Sequence, residues 1–143
     1  MNDIRQAYLN AGQGNNMGKW FPLWDYKPLV ASMGFDVLLQ VDEDDYQGDS
    51  FLLLKDGNKW GFLTFGWGSC SGCDALQACD SWEDAESLRT EMASSIKWHE
   101  GPQQLRDYWG SKDWEAEWFC RNAVWNDFSQ QAVAIIEAAI EEN

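Results

Sequence analysis

The chain has 143 residues, 45% of them hydrophobic and 15% aromatic, and its 24 acidic and 10 basic residues give a net charge of −14. A chain of this length buries roughly 65–70% of its unfolded surface, so we expect residues 1–143 to form a single globular domain that needs neither a metal nor a disulfide to fold. The negative charge argues against direct contact with nucleic acid or an anionic membrane, and no segment approaches the ~20 apolar residues of a membrane span.

The N-terminal segment combines one short predicted helix with irregular stretches. A helix is predicted over residues 4–9, and residues 10–18 are polar and glycine-rich, which is typical of a loop. Residues 19–28 contain Pro22 and Pro28, and both prolines oppose a regular helix. We therefore predict an extended segment laid over the core, with a peptide-like contact strip as the alternative.

Three apolar runs predict a β-meander. They are Phe35–Val41, Ser50–Lys55 and Trp60–Phe65. The second and third runs are separated by Asp56-Gly57-Asn58, which is a signal for a tight turn between paired strands. Alternation of apolar and polar residues is only partial, so we expect helices to cover one face of the sheet and part of the other.

Helical patterns follow the strands. Ser81 can cap a helix together with Asp84, and apolar residues recur at intervals of three and four from Trp82 to Ile96. This spacing predicts a helix over residues 82–98. Gly101-Pro102 ends that helix, and the proline can open a second, shorter helix that reaches Trp109.

The C-terminal segment has the clearest helical period. Its residues at intervals of four and three are apolar with one exception; they are Trp114, Trp118, Arg121, Trp125, Phe128, Ala132, Ile135 and Ala139. The pattern predicts one amphipathic helix of up to about 28 residues, or two helices broken near residues 122–126. The stripe can pack on the sheet, or its part from Ala132 to Ile140 can pair with a second copy in a homodimer.

The predicted fold is α+β. It consists of a three-stranded antiparallel β-meander packed against three or four helices, with a long amphipathic helix at the C-terminus. The N-terminus lacks a basic segment followed by an apolar run, so a cytoplasmic protein with reduced thiols is expected.

A cluster of cysteines concentrates the reactive side chains of the chain. Cys70, Cys73 and Cys79 lie within ten residues, and Cys70-x-x-Cys73 has the spacing of a zinc knuckle. A zinc site needs four ligands, for which Cys120 and His99, the only histidine, are the further candidates. On one continuous helix Cys73 and Cys79 would point about 120° apart, which hinders a shared ion.

Two other interpretations of the cysteines remain open. A Cys-x-x-Cys motif at the start of a helix resembles a thioredoxin-like redox site, because the helix N-terminus stabilises a thiolate. Asp74 opposes this by adding a negative charge, and the strand order is antiparallel. In the second interpretation the thiols are small buried hydrophobes in a close-packed turn, with no cofactor.

The segments Asp45–Asp49 and Gly66–Leu76, together with the two aromatic strands between them, resemble a family of small uncharacterised proteins found in phages and bacterial genomes. The resemblance covers residues 45–82 and centres on the run Gly-Ser-Cys-Ser-Gly-Cys-Asp. It implies a folded domain of phage or bacterial origin. It implies no activity and no role for an individual residue.

A run of acids lies between the first two predicted strands; it comprises Asp42, Glu43, Asp44, Asp45 and Asp49. The run fails as a calcium-binding EF-hand loop, which needs a glycine and a glutamate where Gln47 and Leu53 stand. Two interpretations of the run remain. It is a hairpin tip exposed to solvent, or its carboxylates bind in an arginine-lined groove of a partner, where they replace the phosphates of a nucleic acid.

The excess of acidic over basic residues favours a small non-enzymatic interaction protein that binds a basic partner through its acidic surface. With the phage resemblance, the expected partner class is a nucleic-acid-binding host protein, and the expected role is that of an anti-defence inhibitor. The alternative is a small zinc- or thiol-dependent module centred on Cys70 and Cys73.

Overall fold

The computed structural model describes residues 1–14, 20–45, 47–68, 72 and 74–142. These residues form an α+β fold with five α-helices, two 3₁₀ turns and four strands, rather than the predicted three or four helices and three strands. The elements are α1 (Ile4–Asn10), α2 (Tyr26–Ala31), β1 (Asp36–Asp42), β2 (Gly48–Asp56), β3 (Lys59–Trp67), α3 (Trp82–Ser94), β4 (Lys97–His99), α4 (Pro102–Ser111), two 3₁₀ turns (Trp114–Ala116 and Trp118–Arg121) and α5 (Trp125–Glu141).

The strands form one sheet in the order β1-β2-β3-β4. β1 and β2 are antiparallel, with Val41 opposite Phe51, and Gly57 adopts a positive φ of 61° in the turn that joins β2 to β3. The meander of three strands is therefore confirmed, but the sheet has a fourth strand. β4 pairs antiparallel with β3 and places Trp98 opposite Gly61.

The fourth strand corrects the predicted helix over residues 82–98. That helix ends at Ser94, because Ser95 caps it and the chain then turns to pair with the sheet. Gly61 permits the pairing: a Cβ atom on Gly61 would lie 2.7 Å from Cε3 of Trp98 and 2.8 Å from Cγ2 of Ile96. Only a glycine fits beneath these two side chains without a shift.

The helix α2 corrects the end of the extended segment predicted over residues 19–28: residues 26–28 are helical, whereas residues 20–25 are irregular. Asp25 caps α2, and its carboxylate accepts the backbone N–H of Lys27 at 2.9 Å. Pro28 lies in the first turn of the helix, where a backbone N–H has no acceptor inside the helix, so the proline is tolerated. α1 matches its prediction, and the N–H of Gln6 donates to Asp3 at 3.0 Å.

The C-terminal segment follows the broken alternative rather than one long helix. Two 3₁₀ turns occupy residues 114–121, and α5 begins at Trp125. Within α5 the core-facing residues are spaced at three and four; they are Trp125, Phe128, Ala132 and Ile136. The apolar stripe of this helix thus packs in the core of its own chain, and the homodimer stays a prediction.

The chain divides into two compact units. The first comprises residues 1–35 and 66–95, and the second comprises residues 36–65 and 96–143. The core of the second unit is largely aromatic; it contains Phe51, Leu53, Trp60, Phe62, Leu105, Trp109, Phe119, Trp125, Phe128, Ala132 and Ile136. The buried residues of the first unit include Ile4, Tyr8, Leu29, Met33, Leu76 and Ala85.

Candidate protein-binding surface

The acidic residues form most of the charged surface. They are exposed with five exceptions: Asp25, Glu43, Asp49 and Glu117 are half-buried, and Asp74 is buried. Between described residues, two ion pairs are present: Lys112 Nζ lies 2.7 Å from Glu117, and Arg106 Nε lies 3.9 Å from Glu137. Internal pairing therefore leaves most of the surplus carboxylates facing solvent.

The acidic hairpin tip, which we define as Asp42, Asp44 and Asp45, is the exposed part of the predicted acidic run. Asp42 is the last residue of β1, and the other two follow in the loop that leads to β2. The Gln40 side chain donates to the Asp42 carboxylate at 3.0 Å. All three residues are exposed, so these carboxylates are accessible to a second molecule.

Glu43 and Asp49, the other two acids of the run, hold the hairpin together. The N–H of Asp49 donates to Oε1 of Glu43 at 2.8 Å, and the N–H of Glu43 donates to the carbonyl of Asp49 at 3.1 Å. The Asn122 amide donates to the Asp49 carboxylate at 3.1 Å. These half-buried acids shape the loop, and sequence reasoning could not separate them from the exposed three.

The environment of Asp49 alters its acidity. Burial raises the pKa of the Asp49 carboxyl, the hydrogen bond from Asn122 opposes that rise, and the neighbouring Glu43 adds to it. The half-buried Asp49 carboxyl therefore stabilises the hairpin rather than binding a ligand. Asn122, which the sequence did not single out, ties the second 3₁₀ turn to the base of the hairpin.

The structure describes part of the cysteine segment. Cys70 and Cys73 lie outside the described residues, so the zinc-knuckle and redox predictions at that pair stay predictions. Cys79 is buried, and its thiol donates to the carbonyl of Ala75 at 3.4 Å. Burial raises the pKa of the Cys79 thiol, and the carboxylates of Asp84, Asp80 and Asp74 raise it further. This environment disfavours the thiolate that metal binding or redox chemistry requires.

Asp74 is the centre of a buried hydrogen-bond network beside that segment. Its carboxylate accepts the Tyr26 hydroxyl at 2.8 Å, the N–H of Gly68 at 2.8 Å, and the N–H groups of Leu76 and Gln77 at 2.9 and 3.1 Å. The Gln77 side chain donates back to the carbonyl of Gly68 at 2.8 Å. The sequence showed Asp74 only as a charge beside the cysteines, whereas the structure shows a carboxylate that joins backbone on both sides of them.

His99, the fourth predicted metal ligand, belongs to the second unit, whereas Cys79 belongs to the first. The His99 ring lies 4.6 Å from the ring of Tyr108, and its Nε2 is buried without a hydrogen-bond partner among the described residues. Burial lowers the pKa of His99. Across the described ranges, no three residues of the types that bind metals come together.

We expect the Cys79 thiol to resist alkylation in the folded protein. In a variant whose other cysteines are serine (Cys70→Ser, Cys73→Ser, Cys120→Ser), iodoacetamide at pH 8 should react on the order of a hundredfold more slowly than in urea, because burial blocks the thiol and raises its pKa. Mass spectrometry over time measures the rate. The matched variant that keeps the half-buried Cys120 instead should react faster, and equal rates for folded and unfolded Cys79 would contradict the prediction.

Comparison of the chain with protein-family models, curated proteins and solved structures finds no match. The phage and bacterial resemblance of residues 45–82 is therefore neither supported nor opposed. None of the described helices has the combined length and hydropathy that crossing a bilayer requires.

Proposed function

We propose that this protein is a small acidic interaction protein, without enzymatic activity, that binds a basic protein through the acidic hairpin tip and the carboxylates around it. The supporting observation is the exposure of Asp42, Asp44 and Asp45 in a chain of net charge −14. Such a surface attracts cations and speeds encounter with a positively charged partner.

The partner class we propose is a nucleic-acid-binding protein of a host cell, and the role is that of a phage-type inhibitor. Nucleic-acid-binding proteins present arginine and lysine side chains that are arranged to contact phosphates. Closely spaced carboxylates carry the same negative charge as those phosphates. The rigid base formed by Glu43 and Asp49 supports this proposal, because a fixed loop loses less conformational entropy when it binds.

The experiment neutralises the tip without changing its size. Asp42→Asn, Asp44→Asn and Asp45→Asn combined should weaken binding to proteins captured from a nuclease-treated bacterial lysate by about tenfold, because each exposed charge contributes roughly 0.2–1 kcal/mol. Binding of the unmodified protein should weaken steeply between 50 and 300 mM salt, roughly as the Debye length falls. Quantitative mass spectrometry of the captured proteins measures both effects.

The matched control removes three exposed charges elsewhere. Glu86→Gln, Glu91→Gln and Glu141→Gln change the net charge by the same amount, and capture should fall much less if the tip is the contact surface. Capture that is insensitive to salt would overturn the proposal. Loss of capture in Cys73→Ser, with bound zinc in the purified protein, would instead favour the zinc-dependent module.

A further inference from the structure

β1 is the outermost strand on one side of the sheet, and among the described elements no strand pairs with its outer side. None of its seven residues is buried, whereas five of the nine residues of β2 are. In an antiparallel pair, every second residue turns its N–H and C=O away from the neighbouring strand. We call this outer row of backbone groups the β1 edge. Between described residues, no backbone hydrogen bond from outside the sheet reaches residues 37–41.

The helix α5 covers a face of the sheet rather than the β1 edge. The ring of Phe128 on α5 lies 5.6 Å from that of Phe51 on β2 and 5.8 Å from that of Phe62 on β3, so the helix lies above the two neighbouring strands. Leu39 and Val41, which share one face of β1, pack against the same core. The helix therefore covers side chains of β1 and leaves its outer backbone groups accessible.

β1 lacks most of the features that keep an edge strand from pairing with another chain, which are lysine, proline, a bulge or a very short length. It contains neither lysine nor proline. A bulge interrupts its pairing with β2 between Val37 and Leu39, but the register is regular from Leu39 to Asp42. The strand at the opposite side of the sheet, β4, has only three residues. The segment Leu39–Asp42 is therefore the edge best suited to a further strand.

The charge around this segment selects its occupant. Residues 36–45 contain five acids and no base, and the regular part of β1 leads directly into the acidic hairpin tip. Lys55 of β2 lies opposite Asp36, so the acidic end of the edge is the one at Asp42. A second copy would bring the same acids to the edge, with a net charge of −14 on each molecule, and like-charge repulsion opposes that pairing. A basic chain is attracted instead.

We propose that the β1 edge binds an extended segment of the basic partner as an added strand, an inference that rests on the proposed function. The backbone of that segment would pair with Leu39–Asp42, and its lysine or arginine residues would lie beside the acidic hairpin tip. Backbone pairing contributes affinity in this mode of recognition, and the charges contribute selectivity. The partner is then a nucleic-acid-binding protein with a basic segment that becomes extended on binding.

The test compares two peptides of equal charge, Lys-Lys-Val-Thr-Val-Thr-Lys-Lys and Lys-Lys-Pro-Ser-Pro-Ser-Lys-Lys. The first can form a strand, whereas the prolines of the second remove backbone N–H donors and prevent strand pairing. Isothermal titration calorimetry at 50 and 300 mM salt measures the affinities. At 50 mM salt the strand-forming peptide should bind the unmodified protein about tenfold more tightly than the proline peptide. Both should bind more weakly at 300 mM salt.

Hydrogen exchange at single amides locates the contact. In the free protein, those amides of Leu39, Gln40 and Val41 that point away from β2 should exchange without unfolding, because no strand pairs with them. At least one of them should exchange at least tenfold more slowly when the strand-forming peptide is bound. The amide of Glu83, in the first turn of α3 and in the first unit, should keep its rate. Nuclear magnetic resonance measures these rates on the unmodified protein, so the result does not depend on the folding of a variant.

Two matched variants add one positive charge at different places. Gln40→Lys puts a lysine on the β1 edge and should weaken binding of the strand-forming peptide about five- to tenfold. Thr90→Lys makes the same change of charge at an exposed position of α3 in the first unit and should weaken that binding less than twofold. Neutralising the acidic hairpin tip should weaken both peptides alike. Far-ultraviolet circular dichroism checks that each variant folds.

The outcomes separate this inference from the proposed function. Equal, salt-sensitive affinity for the two peptides, or unchanged exchange at residues 39–41, would overturn the added strand and leave the acidic surface supported. Slow exchange at all of these amides in the free protein, with a dimer in sedimentation, would overturn it in favour of a second copy. If neither peptide binds the unmodified protein at 50 mM salt, both proposals fail.

Discussion

Asp74→Ala is expected to lower the free energy of unfolding by about 3–5 kcal/mol, since it leaves buried donors without an acceptor. The donors that lose their acceptor are the Tyr26 hydroxyl and the N–H groups of Gly68 and Gln77. The N–H of Leu76 loses its hydrogen bond to Asp74 but keeps the Tyr26 hydroxyl oxygen as an acceptor at 3.1 Å. An unsatisfied buried donor costs roughly 1–3 kcal/mol. We expect partial access of water to the opened site to keep the total below the sum over these donors. Urea unfolding followed by circular dichroism measures the change.

Two matched variants make this prediction specific to the carboxylate. Asp74→Asn keeps one acceptor oxygen but introduces an NH₂ group, so it should destabilise by less than Asp74→Ala. Tyr26→Phe removes a hydroxyl that donates to Asp74 and accepts the N–H of Leu76, which keeps Asp74 as its other acceptor, so it should cost about 1 kcal/mol. Burial and the neighbouring Asp74 raise the pKa of Tyr26, so its hydroxyl stays protonated as a donor across the neutral range. A loss below 1 kcal/mol in Asp74→Ala would contradict the role assigned to the network.

The Asp74 network also bears on the alternative function, a zinc- or thiol-dependent module centred on Cys70 and Cys73. Asp74 joins Gly68 to residues 76 and 77, and the run from Ser69 to Cys73 lies between these points in the sequence. A carboxylate whose oxygens already accept four hydrogen bonds has little capacity left to bind a metal. The position of Asp74 in the sequence suggests a charge beside reactive thiols, but its contacts give it a structural role.

The strands were predictable from the sequence because short-range signals define them. Apolar runs joined by Asp56-Gly57 predict a hairpin, and the structure has one with Gly57 in the left-handed region. β4 was missed because the apolar spacing of α3 continues to Ile96, directly before the strand, and helical periodicity does not show where a helix ends. Pairing with β3 depends on Gly61, a contact between distant positions that spacing cannot reveal.

The negative charge of the candidate surface was predictable from the sequence, but the roles of its individual residues were only partly predictable. Exposure of the acidic hairpin tip follows from charge and from its place between strands. The internal roles of Glu43 and Asp49 depend on a backbone N–H and on Asn122, 73 residues further along, and no local pattern contains that contact. The two 3₁₀ turns were likewise hidden, because the spacing of Trp114, Trp118 and Trp125 suggests one helix face.

Phe62→Ala is expected to destabilise the second unit by about 3–5 kcal/mol, which is typical of a large aromatic residue removed from a core. Phe62 is 5% exposed, and its ring centroid lies within 6.0 Å of five aromatic neighbours; they are Trp109, Trp114, Phe119, Trp125 and Phe128. The cavity would separate rings that now contact one another. Phe62→Leu fills most of the space and should cost less than about 1.5 kcal/mol. Urea unfolding followed by tryptophan fluorescence measures both.

The matched control for the core substitution is Val37→Ala on β1, where a 41% exposed side chain is shortened at little expected cost. Phe62 and Asp74 belong to different units, so the pair of variants also tests the expectation of a single domain. The chain passes between the units after residues 35, 65 and 95. We therefore expect Asp74→Ala and Phe62→Ala to lower hydrogen-exchange protection in both units. Protection lost only in the unit that carries the substitution would contradict a single cooperative domain.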